Sequence, residues 1–194
     1  MKRSWLVIPL LGIGLVATAV ALWQPAYQST RVYFPEEITL SNGQTIGLGT
    51  RWVDVRSPVQ IPFGMNADLT VEAGDSASGT DAVTGYDVVL EARPDFIGCS
   101  VSPTGMLSEP FPSGGTVNLS WDLHPNQTGN QDGTLWLYVR IVGQQLDEEQ
   151  AIFALPIVFN TWGIGDYEAD WAWLAALAAL LTAAQLSRVR KPKS

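Results

Sequence analysis

Thr116-Val-Asn-Leu-Ser-Trp-Asp-Leu123 and Thr134-Leu-Trp-Leu-Tyr-Val-Arg-Ile-Val142 decide the fold. In the first, Val117, Leu119, Trp121 and Leu123 share one parity, and Thr116, Asn118, Ser120 and Asp122 share the other. In the second, Leu135, Leu137, Val139 and Ile141 alternate with Trp136, Tyr138 and Arg140. A period of two places successive side chains on opposite faces of an extended chain, so both stretches read as half-buried strands.

The same period recurs on either side. Ala67–Ala73 sets Leu69 and Val71 against Thr70 and Glu72, and Tyr86–Arg93 sets Val88, Leu90 and Ala92 against Asp87, Val89, Glu91 and Arg93. Ala151–Phe159 is almost continuously apolar, and Thr45–Val55 and Phe96–Ser102 add further strands. Turn residues separate them: Ser41-Asn42-Gly43, Gly74–Gly85, Pro103–Gly115, Pro125–Gly133 and Gly143–Gln150. Many short strands between Gly/Pro turns predict an all-β, antiparallel two-layer sandwich, with eight major strands expected.

Trp121-Asp-Leu-His-Pro, followed by Leu135-Trp-Leu-Tyr-Val, resembles paired strands of bacterial extracellular sandwich domains. The likeness to immunoglobulin-like modules is one of architecture. The Cys…Trp…Cys spacing of antibody domains is absent, since Cys99 is the sole cysteine. With no disulfide possible, the fold must stand on its core.

Charge is distributed unevenly. Lys2 and Arg3 precede the uncharged run Trp5–Trp23, and Arg188, Arg190, Lys191 and Lys193 follow the Ala-rich run Trp171–Leu186. All 19 Asp and Glu lie between these runs with five arginines, giving −14 there and +6 at the ends. As helices the runs would cover about 28 Å and about 24 Å, against a hydrocarbon core of ~30 Å. Cations flanking apolar spans stay on the cytoplasmic side. The expected organisation is therefore an N-terminal transmembrane signal-anchor in 1–27, an extracytoplasmic sandwich in 28–168, and a transmembrane helix with a basic cytoplasmic tail in 169–194. A cleaved signal peptide is the alternative for the first segment, because Ala19-Val-Ala21 fits a small-residue cleavage site. The partner implied by these runs is the lipid bilayer.

If the first span is retained, Thr30 and Trp162 should lie near one membrane face, so the chain should enter and leave the sandwich at the same pole.

The composition also narrows the function classes. An acidic middle disfavours nucleic acid, whose phosphates are bound through Lys and Arg. His124 is the sole histidine and Cys99 lies in the apolar run Phe96-Ile-Gly-Cys-Ser-Val101, so neither nucleophile–base catalysis nor zinc ligation finds its residues. Asp132 in an acidic turn and Asp75, Asp81 and Asp87 around a loop read as surface turns rather than calcium ligands. Asp147-Glu148-Glu149 is a sequential run, whereas glycoside hydrolysis needs two carboxylates facing across a cleft. No catalytic residue, metal or cofactor is therefore expected. The candidate binding residues are Trp136 and Tyr138, opposite the leucines of their strand, where aromatic rings can anchor a partner or stack on a sugar. The expected function is non-enzymatic: a membrane-anchored module that binds or scaffolds a protein partner, in the manner of an accessory subunit of a membrane assembly. A glycan- or cell-wall-binding module is the alternative, and a hydrolase comes third.

Overall fold

Alternation becomes strand wherever it was read, in a computed structural model that describes residues 25–75, 86–143 and 146–163. The expected spans Trp5–Trp23 and Trp171–Leu186, and Asp81, lie outside the described residues. Among the described residues no helix is long and apolar enough to cross a membrane.

Among the described residues eleven strands follow in order: β1 (Ala26–Tyr33), β2 (Glu37–Thr39), β3 (Thr45–Gly47), β4 (Arg51–Pro62), β5 (Ala67–Asp75), β6 (Asp87–Phe96), β7 (Cys99–Ser102), β8 (Leu107–Pro110), β9 (Thr116–Pro125), β10 (Gly129–Gly143) and β11 (Leu146–Trp162). The count exceeds the eight expected for specific reasons. The stretch Ala26–Tyr33 shows no apolar alternation, yet it forms β1, which pairs antiparallel with β4 from Ala26 onward. Thr45–Val55 breaks at Gly49, whose φ is +68°, so it forms the end of a hairpin and the start of a new strand. The turn region Pro103–Gly115 contains the short strand β8, held by β6.

One layer runs β1–β4–β5–β9–β7 and the other β11–β10–β6–β8. They are one curled, hydrogen-bonded sheet, because β4 belongs to both. Its first half pairs antiparallel with β5 through Arg51–Arg56. Its last residues, Gln60–Pro62, pair parallel with Asn160–Trp162 of β11. At the other end β4 and β11 have no such pairing. There the β2–β3 hairpin contributes Phe34, Ile38, Leu40, Ile46 and Leu48 to the core from its strands and flanks. Asn42-Gly43 turns this hairpin as expected, with Gly43 at φ +83° and Gln44 N–H donating to Asn42 Oδ1 at 2.8 Å.

The core is one cluster, filled from both layers by Val53, Val55, Leu69, Val71, Leu119, Trp121, Leu90, Leu135, Leu137 and Phe159. The faces read from the alternation are correct on β5, β9 and β10. Two glycines let aromatic rings lie close to a strand. A Cβ at Gly74 would meet Trp52 at 2.6 Å, and one at Gly133 would meet Phe96 at 2.0 Å.

The chain enters the sandwich at Ala26, opposite Gln60, and leaves it at Trp162, opposite Pro62. Phe63 N–H closes this corner on Trp162 O at 2.8 Å. Both ends of the sandwich, Ala26 and Trp162, thus sit at one pole. Thr30, the residue expected there, instead pairs with Val55 in the middle of β1, because the strand already starts at Ala26.

Neighbouring residues on β10 test the assignment of faces. Leu137 is fully buried and Tyr138 is not. Leu137→Ala is expected to cost about 2–5 kcal/mol in urea unfolding, as buried leucine truncations do. Tyr138→Ala should cost clearly less, and equal losses would contradict the faces described.

Candidate functional site

Trp136 and Tyr138 stand on the outer face of the β11–β10–β6–β8 layer, half-buried by their cross-strand neighbours. Trp136 lies between Arg93 of β6 and Ala154 of β11, and Tyr138 between Glu91 and Ala151. Residues directly opposite on paired strands share a face. Ala151 and Ala154 differ in parity, so a regular strand would turn one of them inward. A bulge resolves this: Leu137 pairs with Phe153 and Tyr138 with Ala151, leaving Ile152 as the extra residue. Both aromatic rings therefore have a small, exposed alanine beside them on β11. No hydrogen bond joins the Trp136 indole N–H or the Tyr138 hydroxyl to the described residues. Each ring offers an apolar body and an unused polar tip.

A polar line crosses the same face beside them. Ser108 Oγ on β8 donates to Glu91 Oε1 on β6 at 3.0 Å. Arg140 Nη1 on β10 lies 3.6 Å from that oxygen. Arg140 also grips Asp147 on β11 through Nε at 2.6 Å and Nη2 at 2.5 Å, a two-pronged pairing. The hydrogen bond to Asp147 raises the Arg140 pKa above its ordinary value. The same bond, opposed by burial and aided by the Arg140 charge, holds Asp147 below the usual carboxylate value. All four strands of the layer contribute one member, so the line holds the surface around the two rings in shape.

The remaining sequence candidates have structural places. His124 is exposed, with Nδ1 2.7 Å from Asn66 Oδ1. Cys99 is a buried free thiol, pushed up to about 11 by burial. Asp147-Glu148-Glu149 falls within the expected turn Gly143–Gln150, yet it lies in β11, because β10 runs on to Gly143 and β11 starts at Leu146. Glu148 accepts hydrogen bonds from Ser41 N at 2.9 Å and Ser41 Oγ at 2.8 Å, which fastens the β2–β3 hairpin to β11. Asp132 is exposed on β10, while Asp75 ends β5 and accepts from Gly114 N at 3.4 Å. Among the described residues no group of three or more His, Cys, Asp and Glu converges.

Sequence reasoning passed over Arg51. It opens β4 at the parity of Val53 and Val55, both buried, and that parity was the available signal. The side chain is buried, with its guanidinium 4.5 Å from the centre of the Phe111 ring.

No protein-family model matches this chain, and no curated protein matches it. Solved structures similar to it include the ASH/PapD-like domain of human CEP192, 14% identical, covering 58% of this chain and 86% of that one at a TM-score of 0.34. AggA, the major subunit of aggregative adherence fimbriae type I from Escherichia coli, is 12% identical over 72% of this chain and 98% of that one, TM-score 0.32. AvmM, which catalyses macrocyclization in alchivemycin A biosynthesis, is 9% identical over 73% and 97%, TM-score 0.32.

The Arg140–Asp147 pair makes stability depend on acid. The folded-state pKa of Asp147 is depressed, so its contribution is present above the ordinary value of about 3.9 and lost as pH falls through the lower folded value. Unfolding curves of the wild type and Asp147→Asn should differ at pH 7 and converge in strong acid. A constant gap across that range would exclude the pairing.

Proposed function

We propose that this chain is a membrane-tethered extracytoplasmic sandwich that binds or scaffolds a protein partner through the outer face carrying Trp136 and Tyr138, as an accessory subunit of a membrane assembly. The reading is non-enzymatic. Trp5–Trp23 and Trp171–Leu186 serve as the two passes, both termini are cytoplasmic, and the acidic sandwich stands outside.

The observation that carries the tether is the common pole. Ala26 and Trp162 leave the sandwich opposite Gln60 and Pro62 of one strand, so two anchors can continue into one bilayer without a connector crossing the domain. The observation that carries the binding face is the bulge at Ile152. It sets two alanines beside two aromatic rings on a surface braced by Arg140. Aromatic residues and arginine are the residue types enriched at binding hot spots.

A glycan is the second reading, favoured by the unused indole N–H and phenol O–H beside open ring faces. Rings and hydroxyl-reading groups side by side suit a sugar as well as a protein.

Reporter fusions at Ser194 and near Gly79 check the topology, with the first expected to report cytoplasm and the second the outside. Exposure of the Ser194 end to external protease would defeat it. For the face, a photo-crosslinking residue at position 138 should yield a protein adduct in intact cells. The same residue at position 118, on the other layer, should not. Trp136→Ala should abolish the adduct. Equal labelling from both positions, or none, would remove this face from consideration. Binding of a cell-wall polysaccharide that Trp136→Ala eliminates would favour the glycan.

A further inference from the structure

The pole opposite Ala26 and Trp162 holds a buried cation with no ion-pair contact among the described residues. Arg51 begins β4 and Pro62 ends it, twelve residues that span roughly 36 Å at ~3.3 Å each. The Arg51 side chain is 3% exposed. Nη1 donates to Phe111 O at 3.1 Å and Nη2 reaches Ser113 Oγ at 3.5 Å. Nε has no hydrogen-bond partner among the described residues. Among the described residues no carboxylate oxygen lies within 4.0 Å of this guanidinium. Asp75 acts on it only through space, and burial outweighs that influence. Burying an unpaired charge is among the more costly arrangements a fold can hold.

Arg51 lines a cleft of about 450 Å³, together with Tyr86, Pro110, Phe111, Pro112 and Val142. This is within the ~300–1,000 Å³ typical of small-ligand sites, and the mix of apolar wall and one polar anchor is typical too. Nε–H has no partner among the described residues but almost no accessible surface, and Nη2–H carries only the long Ser113 contact, so Nη2–H is the donor of this guanidinium with the weakest tie inside the fold. Asp87 also borders the cleft, and Asp75 lies close enough to act on Arg51. Two carboxylates near the site disfavour a dianion such as phosphate and leave a single negative charge as the match. The aromatic and proline walls select the rest of the ligand.

We propose that this cleft binds a monoanionic carboxylate borne on an apolar or aromatic group, with Arg51 as its counter-ion. The site is separate from the Trp136 face and does not depend on the tether. Its ligand is either a free organic acid or the C-terminal carboxylate of a peptide.

The test is a calorimetric titration of the full-length chain in nonionic detergent. The probes are 3-phenylpropionate, its amide, a tetrapeptide ending in free Phe, the same peptide as its C-terminal amide, and inorganic phosphate. Saturable binding of a carboxylate is expected, with its amide about tenfold or more weaker, as loss of a hydrogen bond to a charged group implies. Tighter binding of the acid peptide than of phenylpropionate assigns the ligand to a chain terminus, and the reverse order assigns it to a free acid. Arg51→Met should lose about tenfold or more, while Arg51→Lys should retain part of the affinity. Should Arg51→Met not fold, Val142→Trp, which fills the cleft at a half-exposed position, should abolish binding in a folded protein. Lack of saturable carboxylate binding overturns the proposal. So does equal binding of acid and amide, phosphate binding tighter than the carboxylates, or full affinity in Val142→Trp.

Discussion

The structure depends on one strand pairing with two layers. β4 gives its first half to β5 and its last three paired residues to β11. Sheets twist, so a strand shared between two layers can stay with both only at one corner. That corner is shut by Gln60–Pro62 against Asn160–Trp162 and by the Phe63–Trp162 hydrogen bond. The opposite corner is open by necessity. Without a cover, the core would meet water where β4 and β11 diverge.

The β2–β3 hairpin is that cover. Phe34 N–H bonds to Arg51 O at 2.9 Å, and Leu48 N–H bonds to Glu36 O at 2.7 Å, so the hairpin is tied at its base. Phe34 packs between Phe111 and Phe153, with ring centroids 6.0 and 6.2 Å away. Glu148 holds its turn at Ser41. The short hairpin would be marginal alone, and its stability comes from the apolar side chains it buries against the layers. Arg51 is buried because it sits where this cover meets the start of β4. The two poles consequently differ: one gathers Ala26 and Trp162, and the other gathers the hairpin, Arg51 and its cleft.

The outer face follows from a different local irregularity. β10 and β11 pair over nearly their full lengths, from Gly129 opposite Thr161 to Gly143 opposite Leu146. A single extra residue at Ile152 changes which side chains of β11 accompany Trp136 and Tyr138. The edge strand β1 is secured differently. Arg31 pairs with Asp54 at 2.9 Å and lies over Trp52, Arg56 lies over Tyr27, and Ser29 bonds to Asp54. Such exposed contacts are individually weak, but together they hold an edge strand that has little apolar burial of its own.

The sequence by itself determined the all-β class, the strand faces and the hairpin turn, because each is written in local periodicity and turn chemistry. Val117, Leu119, Trp121 and Leu123 had to share a face once Thr116–Leu123 was extended, and all four are buried. It also singled out Trp136 and Tyr138 as outward-facing, since parity alone decides that. Tertiary structure decided everything that rests on register between distant segments. β1 has no apolar alternation to announce it and exists because β4 presents a partner edge. Glu91 alternates outward like its neighbours but is buried beneath Ser108 and Arg140. Asp147 and Glu148 look like a solvated run until β11 sends them to opposite faces, one to Arg140 and one to Ser41. Arg51 reads as an ordinary strand arginine until the open corner between β4 and β11 places it under Phe111. Parity is a property of a few bonded residues, whereas burial of a charge or the neighbour of a ring is set by chain segments that meet only when the sheet curls.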